Sequence, residues 1–258
     1  MGNYIFVIVL GLIIGSFLNV CIYRIPNEES ILFPRSHCTS CGHVLGSLEL
    51  IPILSYLFLS GRCKHCKSKI SVRYIGIELF SGICFGMVYY CYGLSIETLL
   101  GCTFVAFAIV LAMIDWDEMI LPTSIIRWGI GFGLIERILQ VRVTGSWFIL
   151  VDALMGALVG YLLLMLIFYG SKWLLKKEGM GYGDVRLMGM IGLFVGLRTL
   201  FLALLISSLL ASIYGIVLLK IKKKSEAYPL GPFLNIGGVL VFLWGNSMLT
   251  SYLSLFNL

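Results

Sequence analysis

Long, uninterrupted apolar runs constrain this chain more than any other feature. The first, NYIFVIVLGLIIGSFLNVCIY, carries no charged residue between Asn3 and Tyr23. A helix needs roughly 20 such residues to cross the hydrocarbon core of a bilayer. A spanning backbone must also satisfy its polar groups within its own helices. Charged residues make up only 12% of the chain, against about 25% in a soluble domain. The pattern predicts an all-α polytopic membrane protein with about eight transmembrane helices, near 4–23, 75–94, 97–114, 124–140, 148–171, 186–197, 199–219 and 230–254. The sixth of these is short and interrupted by glycine. The first run is apolar enough for a signal peptide, but no Lys or Arg precedes Arg24 and it is long enough to span. It reads as a retained helix.

Basic residues set the expected orientation. Arg24, Arg35, Arg62, Lys64, Lys67, Lys69 and Arg73 fall in the first long loop. Arg127, then Lys172, Lys176, Lys177 and Arg186, then Lys220, Lys222, Lys223 and Lys224 fall on the same side. The opposite side keeps Arg137, Arg142 and Arg198. The positive-inside rule makes the first side cytoplasmic and turns both termini outward. The net charge of +6 therefore reflects topology rather than nucleic-acid binding, and the KIKKKSEAYP stretch reads as an anchor to lipid headgroups. There is no internal repeat and no signal for oligomeric state.

The one long polar loop, about 24–73, holds HCTSCGH and GRCKHCK. Cys38 and Cys41 form one CxxC pair and Cys63 and Cys66 a second, with 21 residues between the pairs. Two such knuckles can present four thiolates to Zn²⁺ as a closed tetrahedron, a structural site with no open position for substrate. Disulfides are the alternative, disfavoured in a reducing cytosol. His37, His43 and His65 stand beside these cysteines. Cys21, Cys84, Cys91 and Cys102 fall in or next to apolar runs and read as small buried residues.

Two acids interrupt apolar surroundings. Asp184 lies in the glycine-rich GYGD, and Asp115 continues the third run in AMIDWDEMILPT, ahead of Asp117 and Glu118. The expected topology brings Asp115 and Asp184 to the same depth at the cytoplasmic edge. Facing carboxylates share a proton, which suits one to activate water and the other to polarise a carbonyl. For each acid taken alone, the alternative is a helix cap or an ion pair at the interface.

GSFLNVCIYRIP, CTSCGH, ELIPILSYL, GRCKHCKSKIS, RYIGIEL, IDWDEMILP, GYGD and PLGPFL follow one another along nearly the whole chain. In that order they resemble the type IV prepilin peptidases, bifunctional leader peptidases and N-methyltransferases of the GxGD aspartyl protease group. The resemblance implies that Asp115, separated by five residues from Leu121-Pro122, and Asp184 are the catalytic acids. It implies cleavage of the short basic leader of prepilins or pseudopilins at the cytoplasmic face of a bacterial plasma membrane. Methylation of the new N-terminus with S-adenosylmethionine would follow. It divides the chain into an N-methyltransferase half, 1–95, containing the zinc loop, and a peptidase half, 96–258. Asn19, Arg24, Glu49, Arg73 and Glu78 are the candidate donor- or amine-binding residues of the first half. Glu78 could equally pair with Arg24 or Arg73.

The chain departs from the family pattern at several positions. Thr123 stands where Asp or Asn is common, and Arg186 where Lys is usual. GSL precedes Glu49 in place of aromatic residues, and Ile75 replaces a frequent Pro. Two other readings stay open at this point. One is a peptidase without methylation. The other is a proton-coupled transporter using Asp115, Asp184 and Glu78, which leaves the cysteine loop without a purpose.

Overall fold

The computed structural model describes residues 2–175, 180–222 and 228–255. Lys176, Lys177, Lys223 and Lys224, used above for orientation, lie outside the described residues. The helices are α1 (Gly2–Arg24), α2 (Leu54–Phe58), α3 (Val72–Tyr92), α4 (Ile96–Glu118), α5 (Thr123–Thr144), α6 (Trp147–Leu175), α7 (Tyr182–Val195), α8 (Leu197–Lys222) and α9 (Gly231–Leu255). Among the described residues there is no strand, only two isolated β-bridges.

Each of the eight apolar segments read from the sequence is a helix. Among the described residues, six are long and apolar enough to cross a membrane: α1, α3, α4, α6, α8 and α9. Eight spans are not confirmed: on length and composition, among the described residues, only these six qualify. α5 is too polar, with Arg127, Glu136, Arg137 and Arg142 along it. α7 has only 14 residues, or about 21 Å of helix against a core of about 30 Å.

The chain divides into two compact units, Met1–Leu94 and Ser95–Leu258. In the first, α1 packs on α3 through small residues. A Cβ on Gly11 would lie 2.9 Å from Gly82 Cα, and one on Gly15 would lie 2.9 Å from Glu78 Cα. Lipid supplies no hydrophobic drive between helices, so close backbone packing of this kind holds them together. Buried Asn19 adds direction, donating to Gly15 O at 3.2 Å and Tyr74 O at 3.1 Å. Ser71 caps α3, its hydroxyl accepting the Arg73 N–H.

In the second unit α7 lies at the centre, with every residue from Leu187 to Phe194 buried. Glycines again allow the approach: Gly156 of α6 and Gly192 of α7 touch backbone to backbone. Phe104 of α4 stacks on Phe194 of α7 at 4.7 Å between centroids. The turns have local causes. The α4 helix stops where Met119 turns left-handed, its N–H returning to Asp115 O, just before Pro122. The α5 and α7 helices end at Gly145 and Gly196, whose φ values of 72° and 79° suit glycine.

Candidate active site and metal centre

Three segments distant in sequence meet at one end of the second unit. Asp115 stands in the last turn of α4 and Asp184 in the first turn of α7, 5% and 6% exposed. Leu121 lies against both Gly183, next to Asp184, and Gly231, next to the Asp115 carboxylate. The Asp115 Oδ2 accepts the Gly231 N–H at 2.9 Å, at the start of α9. A Cβ on Gly231 would fall 2.5 Å from that oxygen, so the position requires glycine. Leu121 fills the gap between segments. A Cβ on Gly183 would lie 2.8 Å from Leu121 Cβ, and one on Gly231 would lie 3.3 Å from Leu121 Cδ2. The ILP turn, the GYGD turn and the PLGP turn thus converge on the two acids. Asp117 and Glu118, further along α4, are exposed.

Half-buried Arg186 donates to the Thr123 hydroxyl. Its guanidinium also lies over the Tyr182 ring at 4.7 Å. Tyr182 in turn shares a 2.7 Å hydrogen bond with Tyr161 of α6. Two positions at which the sequence leaves the family pattern are therefore bonded to each other. Sequence reading listed them separately. Gly231 entered the sequence argument only within PLGPFL, because its role lies in its backbone and leaves no side-chain signal.

In the first unit, the two CxxC segments fold alike. The Cys38 N–H donates to His43 O and the Gly42 N–H returns to Cys38 O; Cys63 with Ser68 and Lys67 with Cys63 repeat the pattern. The left-handed positions correspond too, Gly42 at φ 73° and Lys67 at φ 60°. The four sulfurs lie within 4.8 Å of one another, and Cys38 Sγ is 3.9 Å from Cys66 Sγ. Zn–S bonds of about 2.3 Å require S···S distances near ~3.8 Å, so the cluster fits a tetrahedral metal ion. The electrostatics agree. The Ser40 and Cys41 N–H groups and the Ser68 hydroxyl lower the Cys38 thiol to about 6. The Ser68 hydroxyl and N–H lower Cys66 as well. The His43 N–H also lowers Cys41, but desolvation and the neighbouring sulfurs carry it up to about 12. Four thiols this close do not all ionise unless a cation sits among them.

The remaining candidates take separate partners. Glu78 of α3 is buried, and its Oε2 accepts the Ile53 N–H at 2.8 Å. Ile53 has φ 61°, a costly conformation for a β-branched residue. Glu49 Oε2 accepts the Gly46 N–H at 2.8 Å and meets His43 Nε2 at 3.3 Å. The Gly46 N–H holds the Glu49 carboxyl below its ordinary range. Among the described residues its Oε1 is buried with no hydrogen-bond partner, a place suited to a cationic group. Arg24 is buried and donates to Ser30 O at 2.9 Å. Arg73 lies exposed at the start of α3.

Residues 9–92 match the bacterial peptidase A24 N-terminal domain, and residues 102–216 match the type IV leader peptidase family. The prepilin leader peptidase/N-methyltransferase of Pseudomonas putida is 38% identical, over 96% of this chain and 92% of that protein. The proteins of the same name from Aeromonas salmonicida and Neisseria gonorrhoeae are 36% and 37% identical, over 96% and 93% of this chain and 93% and 90% of theirs. No solved structure matches the chain. With relatives this similar along nearly its full length, and both domains in their order, the chain belongs to the type IV leader peptidase family.

Proposed function

We propose that this protein is a multi-pass bacterial plasma-membrane enzyme that removes the leader of prepilins or pseudopilins and then methylates the exposed N-terminus. The observation that carries the reading is the placement of Asp115 and Asp184, both buried, at the ends of α4 and α7 that Leu121 and Gly231 bring together. Two carboxylates in such a place hold one proton between them. The ionised one takes a proton from water as the oxygen attacks the scissile carbonyl carbon. The protonated one gives its proton to the carbonyl oxygen, forming a gem-diol. Collapse breaks the C–N bond, and the amine leaves with a proton returned by a carboxyl group. The Gly231 N–H fixes the plane of Asp115, and burial keeps bulk water from competing.

Methyl transfer belongs to the first unit. S-adenosylmethionine supplies an electrophilic methyl group on a cationic sulfur. Glu49, with one buried oxygen that no described residue engages, is the acid we assign to the cationic donor or the substrate amine. Glu78 holds the intervening loop at Ile53. Asn19 fixes α1 to the start of α3, while Arg24 and Arg73 border the same segment. Cys38, Cys41, Cys63 and Cys66 hold a structural Zn²⁺ that folds the loop.

The acids face the cytoplasm in this reading. The basic residues gather on that side, and a basic leader is held there by the same rule. Purified protein is incubated with a prepilin peptide, with and without S-adenosylmethionine, and the products are weighed. Loss of the leader followed by gain of one methyl group is the expected result. An intact peptide would overturn the proposal.

A further inference from the structure

The central helix α7 carries Asp184 in its first turn and ends at Val195. A helix leaves its last four carbonyls without intrahelical donors, and unpaired ones are costly away from water. In α7 all four are matched. The Gly196 N–H donates to Gly192 O at 2.9 Å, and the Thr199 hydroxyl donates to Val195 O at 2.8 Å. The other two accept from a single guanidinium. Arg137 of α5 donates through Nε to Leu193 O at 3.3 Å and through Nη2 to Phe194 O.

That guanidinium reaches one helix further. Its Nη1 donates to Gln140 Oε1 at 3.0 Å, and Gln140 Nε2 donates to Glu97 Oε1 at 2.8 Å. Glu97 lies in the first turn of α4, the helix whose last turn carries Asp115. The α4 and α7 helices are therefore tied at both ends. At one end the two acids meet. At the other, about 27 Å away along α4, Arg137 and Gln140 link the α7 carbonyls to Glu97. Glycine packing between α6 and α7 is tight but carries no direction, so directed bonds at the helix ends set where α7 stops along its axis. A cation at the C-terminal end also complements the helix dipole.

We propose that Arg137 is a positioning residue for the peptidase, setting the axial register in which Asp184 meets Asp115. The proposal rests on the assignment of those two acids as the catalytic pair. A misplacement of about 1 Å at reacting groups costs on the order of 10²-fold in rate. A shift of α7 alters the acids' spacing and leaves the surface that binds the leader largely in place. It therefore acts on kcat rather than on KM.

Arg137→Met, Arg137→Lys, Gln140→Leu and the exposed-position control Arg142→Met are compared with the unaltered protein. The measurements are kcat and KM for cleavage of a prepilin peptide and the Tm in detergent. The expected result is a kcat loss of about 10²-fold for Arg137→Met, with KM within a few-fold. A smaller kcat loss is expected for Arg137→Lys, which keeps the charge but not the fork, and for Gln140→Leu, which keeps the fork but cuts the link to Glu97. Arg142→Met stays at the unaltered rate. Unchanged kcat in Arg137→Met, or a change confined to KM, overturns the proposal. If Arg137→Met does not fold, Gln140→Leu decides alone, and unchanged kcat there overturns it. Asp184→Asn is run alongside. If that variant cleaves normally, the catalytic assignment itself has failed; if it is inactive while Arg137→Met is normal, only the positioning role has.

Discussion

The Gly231 N–H donates to Asp115 Oδ2 at 2.9 Å, joining residues 116 positions apart. Asp115 sits at the C-terminal end of its own helix, where backbone carbonyls are poor neighbours for a carboxylate. The N-terminal end of α9 offsets this with an N–H and the positive end of a long helix. The bond also fixes how the Asp115 carboxylate is turned.

Gly231→Ala should therefore damage cleavage without unfolding the protein. The added Cβ would lie 2.5 Å from Asp115 Oδ2 and 3.3 Å from Leu121 Cδ2, so it is crowded by both. The carboxylate must turn or α9 must move. We expect kcat for prepilin cleavage to fall by on the order of 10²-fold, with Tm in detergent lowered by a few degrees at most. A variant with normal kcat would remove Gly231 from the site.

Much of this arrangement was legible in the sequence, for identifiable reasons. Apolar runs mark α1, α4, α6 and α8 because a membrane helix needs uniform apolarity over its full length. The CxxC pairs mark the cysteine cluster because four ligands in two short turns leave a spacing pattern. The expectation that Asp115 and Asp184 come together rested on charge asymmetry between loops, and the structure places both at one end of the second unit. What escaped is backbone or long-range in origin. Nothing in the residue Gly231 announces that its N–H meets an acid 116 positions away. Arg137 read as one of a few outward basic residues, while it caps the central helix. The central position of α7 was hidden by its length, since a helix enclosed by others need not be long enough to span.

The Thr123–Arg186 contact tests whether two departures from the family pattern compensate. Thr123→Val removes the acceptor while keeping the shape, leaving the guanidinium the Tyr182 ring among the described residues. Hydrogen bonds to charged groups contribute about 1.5–3 kcal/mol, so Tm should fall and cleavage should slow several-fold. Thr123→Asp restores an acceptor, and a charged one, and should keep both at or above the starting values. If Thr123→Asp is as damaging as Thr123→Val, the pair is not compensatory.

Metal removal should act on the loop first. Cys38→Ser with Cys41→Ser deletes one knuckle and two of the four sulfurs in the cluster. Folding of such a ribbon is coupled to metal binding. Elemental analysis should give about one zinc per chain in the unaltered protein and none in the double variant. Limited proteolysis should then cut between Arg35 and Arg62 while the helices stay protected. Full protection of the loop in a metal-free double variant would count against a structural metal.

The two activities should separate by mutation, because the candidate residues lie in different units and use different chemistry. Asp184→Asn keeps the size of the side chain but removes the second carboxylate, so no proton can be shared. Cleavage should fall by orders of magnitude. Its side chain sits in the first turn of α7, outside the unit that contains Glu49 and Glu78. The same variant should still methylate a peptide supplied already cut, with a free N-terminal Phe. Glu49→Gln should do the reverse. The neutral amide keeps an acceptor for the Gly46 N–H but places no charge opposite a cationic donor or amine, so methylation should fail while the leader is still removed. Glu78→Gln keeps an acceptor for the Ile53 N–H. It should spare methylation if Glu78 only holds the loop, and abolish it if the charge itself acts on the amine or donor. Peptide mass reads both reactions at once. If Asp184→Asn abolished both activities in a protein that remained folded, the two-site assignment would be wrong, and one shared site would have to serve for cutting and methylation alike.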